Sequence, residues 1–275
     1  MGTLRFGPSG LPEAESYEES LALLAERGYT ACELGFAGGF RLDYETAARL
    51  GELARAADVA LSVHAPLAAF LGHAERGKKL KMAIGMLDHT SGLAKALGAA
   101  PIVVHPGFFL GRTREETLDA VCEQCAELHA RLEAKDRLVP LGFEVMGRVR
   151  DFGSVDDVIE IARRCAPLGG GFVRPVLDFA HMHATSDGAY LDVEPFAAAL
   201  AACDEVLPPG VPFHLHFSDI RYANRNETWH LPYGEGTLRA EPLREALERF
   251  ERPATVISES PDEASTQAIL AVLNQ

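Results

Sequence analysis

Asp178 and His181 stand at the end of an apolar run, in the stretch VLDFAHMHA at residues 176–184. The run has the composition of a buried strand, and burying a carboxylate and an imidazole is costly unless both groups are paired. Imidazole and carboxylate are also the donors that suit zinc, manganese and iron in proteins. A metal site at the end of this strand would account for both residues.

The same arrangement recurs along the chain, where five further apolar runs each end in a histidine or an acid. These residues are His64, His105, Glu144, His216 and Glu259, and His230 follows in the loop after the run that ends in His216. One such residue is easily explained as a structural side chain, but six at the ends of six runs indicate a shared cation site. The remaining histidines are interpreted as structural: His73, His89, His129, His183 and His214.

The elements that would position these residues alternate in type. Eight apolar or β-branched runs, separated by helical stretches, predict strands at 3–7, 30–36, 59–65, 100–106, 139–145, 172–178, 211–217 and 254–260. In 275 residues this pattern predicts an α/β fold, a single-domain (β/α)₈ TIM barrel spanning 1–275, whose active site lies at the C-terminal ends of the strands. A doubly wound open sheet is the alternative, but it normally has fewer strands, and no G-x-G-x-x-G follows the first run.

Helix starts are indicated by capping residues. Ser16 with Glu19, and Thr113 with Glu116, have the spacing of a capping box, in which each side chain binds the other residue's exposed N–H. The sequence SPDE at 260–263 predicts a helix with a serine cap and a proline in its first position.

Composition limits the class of protein. The apolar content of 47% suits a globular chain with a large core, and no run of about 18 apolar residues predicts a membrane span. No basic start followed by an apolar run indicates a signal peptide, and five cysteines, an odd number, favour reduced thiols. We therefore expect a cytoplasmic protein, and we also expect it to act as a monomer. The net charge of −14 disfavours nucleic acid as a partner unless bound cations offset it.

The motifs SVHAPL, VVHPG, FEVMG, LDFAHMHA, HLHFSD, HLPYGEG and SESP occur in an order and at a spacing that resemble the endonuclease IV family. This is the second family of apurinic/apyrimidinic (AP) endonucleases, within the xylose-isomerase-like TIM-barrel superfamily. The resemblance covers about residues 60–262. It implies a barrel with zinc ions that hydrolyses DNA on the 5′ side of abasic sites in base excision repair.

The resemblance also implies how the residues share two or three zinc ions, with manganese or iron as alternatives. One ion would be held by His64, His105 and Glu144, the second by Glu144, Asp178, His216 and Glu259, and the third by His181 and His230. Glu144 would bridge the first two ions and orient the attacking hydroxide, which makes it the candidate catalytic residue. Basic residues in the predicted rim loops are candidates for gripping the DNA backbone: Lys78, Lys79, Lys81, Arg148, Arg150, Arg221 and Arg225.

The chain departs from the family pattern at two places. The family has an aspartate two residues before the second histidine of the third site, where this chain has Thr228, with Glu227 adjacent. The third site is therefore expected to be the weakest. The family's Tyr-Leu wedge, which enters damaged DNA, is replaced by Leu67 and Ala68.

Two other functions use the same residues. A sugar isomerase or epimerase of the same superfamily would need only the quartet Glu144, Asp178, His216 and Glu259 around one metal, with two carboxylates moving a proton beside a carbonyl. A metal-binding barrel without activity is the third possibility. The histidines at 64, 105 and 230 favour the hydrolase, because an isomerase has no use for them.

Overall fold

The fold is a barrel of eight parallel strands surrounded by helices, in a computed structural model that describes residues 2–36 and 38–275. The strands are β1 Leu4–Pro8, β2 Ala31–Gly35, β3 Ala60–His64, β4 Ile102–Val104, β5 Gly107–Phe108, β6 Leu141–Glu144, β7 Asp151–Phe152, β8 Val173–Asp178, β9 Phe213–Phe217, β10 Asp219–Ala223, β11 Asn226–Leu231 and β12 Ala254–Ser258. The helices are α1 Tyr17–Glu26, α2 Tyr44–Ala56, α3 Lys78–Leu97, α4 Arg114–Glu133, α5 Val155–Cys165, α6 Phe179–Thr185, α7 Val193–Val206, α8 Glu241–Leu247 and α9 Glu263–Leu273.

The barrel strands pair in the order β1, β12, β9, β8, β6, β4, β3 and β2. The two ends of this sheet also meet, since Thr30 N–H donates to the carbonyl of Phe6 at 2.8 Å and Gly10 N–H donates to that of Glu33 at 2.7 Å. The predicted (β/α)₈ barrel is therefore confirmed. Seven of the eight predicted runs contain one barrel strand, and the run at 3–7 covers all of β1 except Pro8.

Two short pairs of antiparallel strands lie at the C-terminal end of the barrel. Strands β10 and β11 form a hairpin directly after β9, and β5 pairs with β7 to join the loops that follow β4 and β6. His230, predicted to lie in a loop, is part of strand β11. The hairpin brings this residue back over the mouth of the barrel.

The helices pack their apolar faces on the outside of the barrel, where leucines such as Leu24, Leu50, Leu87 and Leu128 are fully buried. The predicted capping box at Thr113 and Glu116 is present. At Ser16 only half of the box forms, because the Glu19 carboxylate accepts from Glu15 N–H instead.

The predicted start of the last helix at 260–263 is wrong by two residues. The helix begins at Glu263 and Asp262 is its N-cap. The Asp262 carboxylate accepts from both the N–H and the hydroxyl of Ser265, at 2.8 and 3.1 Å, whereas the hydroxyl oxygen of Ser260 accepts from the Ser258 hydroxyl at 3.1 Å.

All five cysteines are free, and four of them are buried. No helix in the described ranges combines the length and apolarity needed to cross a bilayer.

Candidate metal centre

The structure brings all eight predicted site residues together at the C-terminal mouth of the barrel. Six of them lie at or just after the ends of β3, β4, β6, β8, β9 and β12, and the other two lie on α6 and on the β10–β11 hairpin. Within the described ranges they form three groups whose donor atoms lie within 4.8 Å of one another: His64, His105 and Glu144; Glu144, Asp178, His216 and Glu259; and His181, Glu227 and His230.

Glu144 is shared between the first two groups. Its Oε2 lies 3.2 Å from His64 Nε2 and 2.9 Å from His105 Nε2, whereas its Oε1 lies 3.0 Å from His216 Nδ1. The side chain is only 1% exposed, because β6 delivers it into the centre of the mouth. Each carboxylate oxygen therefore faces a different group, which is the arrangement that a bridging ligand requires.

The ring nitrogens that face away from the centre are held by neighbouring oxygens. His64 Nδ1 lies 2.9 Å from the carbonyl of Ala65, and His181 Nδ1 lies 2.8 Å from that of Val145. A carbonyl accepts only, so both rings carry a proton on Nδ1 and direct Nε2 into the site. This fixes the ring orientation and the tautomer that metal binding needs.

The acids and histidines shift each other's protonation. Burial acts to lower the pKa of His64, but the hydrogen bond and charge of Glu144, with the charges of Glu33 and Glu259, raise it to about 9. Burial likewise opposes the charged forms of Glu144 and His216. The charge of His216 nevertheless holds the pKa of Glu144 well below its usual range, and the charges of Glu33, Glu259 and Glu144 hold the pKa of His216 well above its usual range. Protons on the histidines thus balance the carboxylates, and cations can replace those protons.

Asp178 supplies a direct sign that the site suits a cation. Its Oδ1 accepts from His181 N–H at 2.8 Å, but its Oδ2 is buried and has no hydrogen-bond partner among the described residues. Burial, as the largest influence, raises the pKa of Asp178 to about 6. A buried carboxylate oxygen without a donor is destabilising, and a metal ion between Asp178 and its neighbours would remove that cost.

The third group is completed by Glu227. His181 Nε2 lies 2.7 Å from Glu227 Oε2, and His230 is held on its other side by Ser218 Oγ, 2.6 Å from Nδ1. Close approach of the hairpin to the loop after β6 makes this possible, since Glu227 N–H donates to the carbonyl of Gly147 at 2.8 Å. A Cβ atom at Gly147 would lie 2.6 Å from Glu227 Oε2, so a larger residue at 147 would displace the carboxylate from this position.

A β-bulge at Thr228 explains how Glu227 reaches the group. Trp229 pairs with Arg221 and Glu227 pairs with Tyr222, which leaves Thr228 as the extra residue of β11. Alternation along a regular strand would place residues 228 and 230 on one face, but the bulge puts Glu227 on the face of His230 instead. The hydroxyl of Thr228 donates to the carbonyl of Arg221 at 2.9 Å.

We expect Glu227→Gln to weaken binding at the third group at least about tenfold, because the variant loses the only carboxylate of that group. Thr228→Asp is the matched control, and we expect it to change the affinity of no ion. A competition titration with a zinc chelator measures both variants. Tighter binding in Thr228→Asp, or three unchanged ions in Glu227→Gln, would contradict this assignment.

Sequence reasoning missed Glu33, which lies beneath the site. Glu33 is fully buried in β2, and its carboxylate lies within 3.1 Å of ring nitrogens of His214 and His216. The signal in the sequence was a single acid inside the apolar run ACELG. Because that acid lies within the strand and not at its end, its position did not predict a place at the rim of the barrel.

One of the predicted phosphate-binding residues reaches the site. Arg148 Nη2 lies 3.5 Å from Glu227 Oε1 at the edge of the third group. By contrast, Arg225 binds the carbonyl of Thr185 at 2.7 Å, and Arg150 approaches Asp151 at 3.9 Å.

Residues 21–275 match the family described as the xylose isomerase-like TIM barrel. The chain belongs to this family. The uncharacterized protein MJ0133 of Methanocaldococcus jannaschii is 30% identical over 261 residues, which cover 94% of this chain and 92% of the relative.

Two solved structures share the fold of this family member at low sequence identity. A D-tagatose 3-epimerase-like protein has a TM-score of 0.71 at 20% identity, with 98% of each chain covered. Endonuclease IV from Thermus thermophilus has a TM-score of 0.72 at 17% identity, with 98% of this chain and 97% of that chain covered. The fold is thus common to an epimerase-like protein and an endonuclease, and only the site can distinguish between their chemistries.

Proposed function

We propose that the protein is a metal-dependent phosphodiester hydrolase that cleaves DNA 5′ to abasic sites, with zinc as its metal. The observation that carries the proposal is the sharing of Glu144 between two groups of donors, next to a third group that contains its own carboxylate. Three adjoining cation sites suit the charged phosphate of a nucleic acid better than they suit a neutral sugar.

The residues of the site would have different roles in such a reaction. Bound cations would activate a water molecule and neutralise charge on the phosphate. Glu144 spaces the two sites it joins, and its carboxylate can accept a hydrogen bond from the attacking water. His181 and His230 approach from α6 and the hairpin, where Arg148 adds a positive charge at the edge of the mouth.

Charge at the mouth is consistent with a DNA substrate despite the acidity of the chain. The net charge of −14 includes the four carboxylates of the three groups. Two divalent ions would neutralise these carboxylates, and a third would make the local charge positive where a phosphate must bind. We propose that the protein acts on DNA as a monomer in the cytoplasm, and its five free cysteines support a reducing compartment.

We expect protein loaded with zinc to nick a duplex oligonucleotide on the 5′ side of one tetrahydrofuran abasic analogue and leave a 3′ hydroxyl. Chelation should abolish the cleavage, and readdition of zinc should restore it. The undamaged duplex is the control. If fully loaded protein leaves the abasic strand intact, the substrate assignment is wrong.

Sugar epimerisation is the second candidate, because the quartet of Glu144, Asp178, His216 and Glu259 is sufficient for one metal ion. Its test is run on the same preparation, with ketohexoses as substrates and manganese as an alternative metal. Epimerisation with one ion per chain, without cleavage of DNA, would favour this function over the hydrolase.

A further inference from the structure

We propose that Glu33 is a positioning residue that holds the His216 ring so that Nδ1 faces the metal centre. This inference rests on the metal centre of the proposed function, but it does not depend on the substrate. His216 is the one histidine of the quartet, so the orientation of its ring determines whether that group can bind an ion.

Three strands fix the carboxylate of Glu33 beneath the site. Its Oε2 accepts from Ser62 Oγ on β3 at 2.7 Å and from His214 Nε2 on β9 at 3.0 Å. Its Oε1 lies 3.1 Å from His216 Nε2. With one oxygen held by two donors, the other is directed at His216.

The two facing atoms have no alternative partners. Glu33 Oε1 and His216 Nε2 are both buried and face each other at 3.1 Å, but the angle between them falls short of a hydrogen bond, and neither has a hydrogen-bond partner elsewhere among the described residues. Layers inside a barrel of this kind are usually filled by branched apolar side chains, so a fully buried acid at this position calls for a specific role. Its contact with a candidate metal ligand supplies that role.

The chemistry of the ring explains what the contact does. An imidazole that binds a metal through Nδ1 must be neutral and carry its proton on Nε2. A carboxylate beside Nε2 stabilises that tautomer, fixes the plane of the ring and makes Nδ1 a stronger donor. On the opposite side, His216 Nδ1 lies 3.0 Å from Glu144 and 3.4 Å from Glu259, where the ion would bind.

His214 and Ser62 hold the carboxylate of Glu33 in place. Both bind the same oxygen of Glu33, so they prevent the carboxylate from rotating away from His216. Glu33, His214 and His216 also lie close enough together to hold an ion themselves, and a fourth ion is the competing explanation.

The test is the metal affinity of Glu33→Gln, which retains the shape of the side chain but loses its charge. We expect the ion of the quartet to bind about 10- to 100-fold more weakly, whereas the ion of His181, Glu227 and His230 keeps its affinity. Cobalt titrations with a competing chelator measure both constants. The visible spectrum of cobalt in the quartet should also change, since it reports the ligand geometry.

The control is Asp88→Asn, the same chemical change at another buried acid. Asp88 lies on α3 and pairs with Arg131 at 2.6 Å and Arg137 at 3.1 Å, away from the mouth of the barrel. This variant should lose thermal stability and retain wild-type affinity for every ion. An equal loss of affinity at all sites in both variants would mean that Glu33 acts only through stability, which would overturn the proposal.

Two further outcomes would overturn it. Unchanged affinities and an unchanged cobalt spectrum in Glu33→Gln would mean that Glu33 does not position His216. A fourth ion in the wild-type protein that disappears in Glu33→Gln would make Glu33 a ligand. Neither readout involves DNA, so a failure of the substrate assignment leaves this test intact.

Discussion

Replacing Glu144 with glutamine is expected to remove two metal ions per chain and to reduce cleavage of the abasic strand at least about a thousandfold. Each oxygen of Glu144 faces a different donor group, so a neutral amide weakens both groups at once. The variant also leaves the buried histidines around it without their counter-charge, which is strongly destabilising. Elemental analysis of dialysed protein and a cleavage assay at saturating zinc measure the two effects.

Glu251→Gln is the control for the Glu144 variant. Glu251 is exposed and precedes β12, at the opposite end of the barrel from the mouth, so its loss of charge should change neither metal content nor cleavage. If Glu144→Gln loses a single ion and retains cleavage, Glu144 does not bridge two sites. A one-metal enzyme would then be the better interpretation.

Six of the eight site residues could be predicted because of a property of the fold, whereas the ligand roles of His181 and His230 came from the resemblance to a family. Parallel strands that close into a barrel end on one rim, so a residue at the end of each strand meets the others without any knowledge of tertiary contacts. His64, Glu144 and Asp178 are each the last residue of their strand. Periodicity in the sequence was enough to locate these ends.

Glu227 and Glu33 could not be assigned in the same way. The face on which Glu227 lies depends on the bulge at Thr228, and that bulge exists only in the pairing of β10 with β11. Glu33 lies one layer below the rim, and its partners come from β3 and β9, which are distant in the sequence. Both roles arise from contacts between strands. The pattern of residues within one predicted strand gives no information about such contacts.

Without metal, the protein is expected to lose stability as the pH rises from 6.5 to about 9. His64 has a folded-state pKa of about 9 against 6.5 in the unfolded chain, and the pKa values of His181 and His216 are also raised. A raised pKa contributes stability that is fully present below the unfolded value and is lost as the pH passes the folded value. The carboxylate of Glu144 does not oppose this trend, because its lowered pKa affects stability only in acid.

Bound metal should reverse the dependence of protein stability on pH. An ion binds the deprotonated rings, so its affinity increases over the interval in which the free protein loses its stabilising protons. An ion at a thousand times its dissociation constant adds about 4 kcal/mol, on the order of 10 °C in Tm for a chain of this size. The difference in Tm between loaded and chelated protein should therefore grow from pH 6.5 to pH 9, as measured by thermal melts in both states.

His64→Asn removes one of the histidines with a raised pKa and should flatten the curve of Tm against pH for the chelated protein. A Tm of chelated wild-type protein that stays level or rises over this interval would show that the histidines are not held protonated by the carboxylates around them.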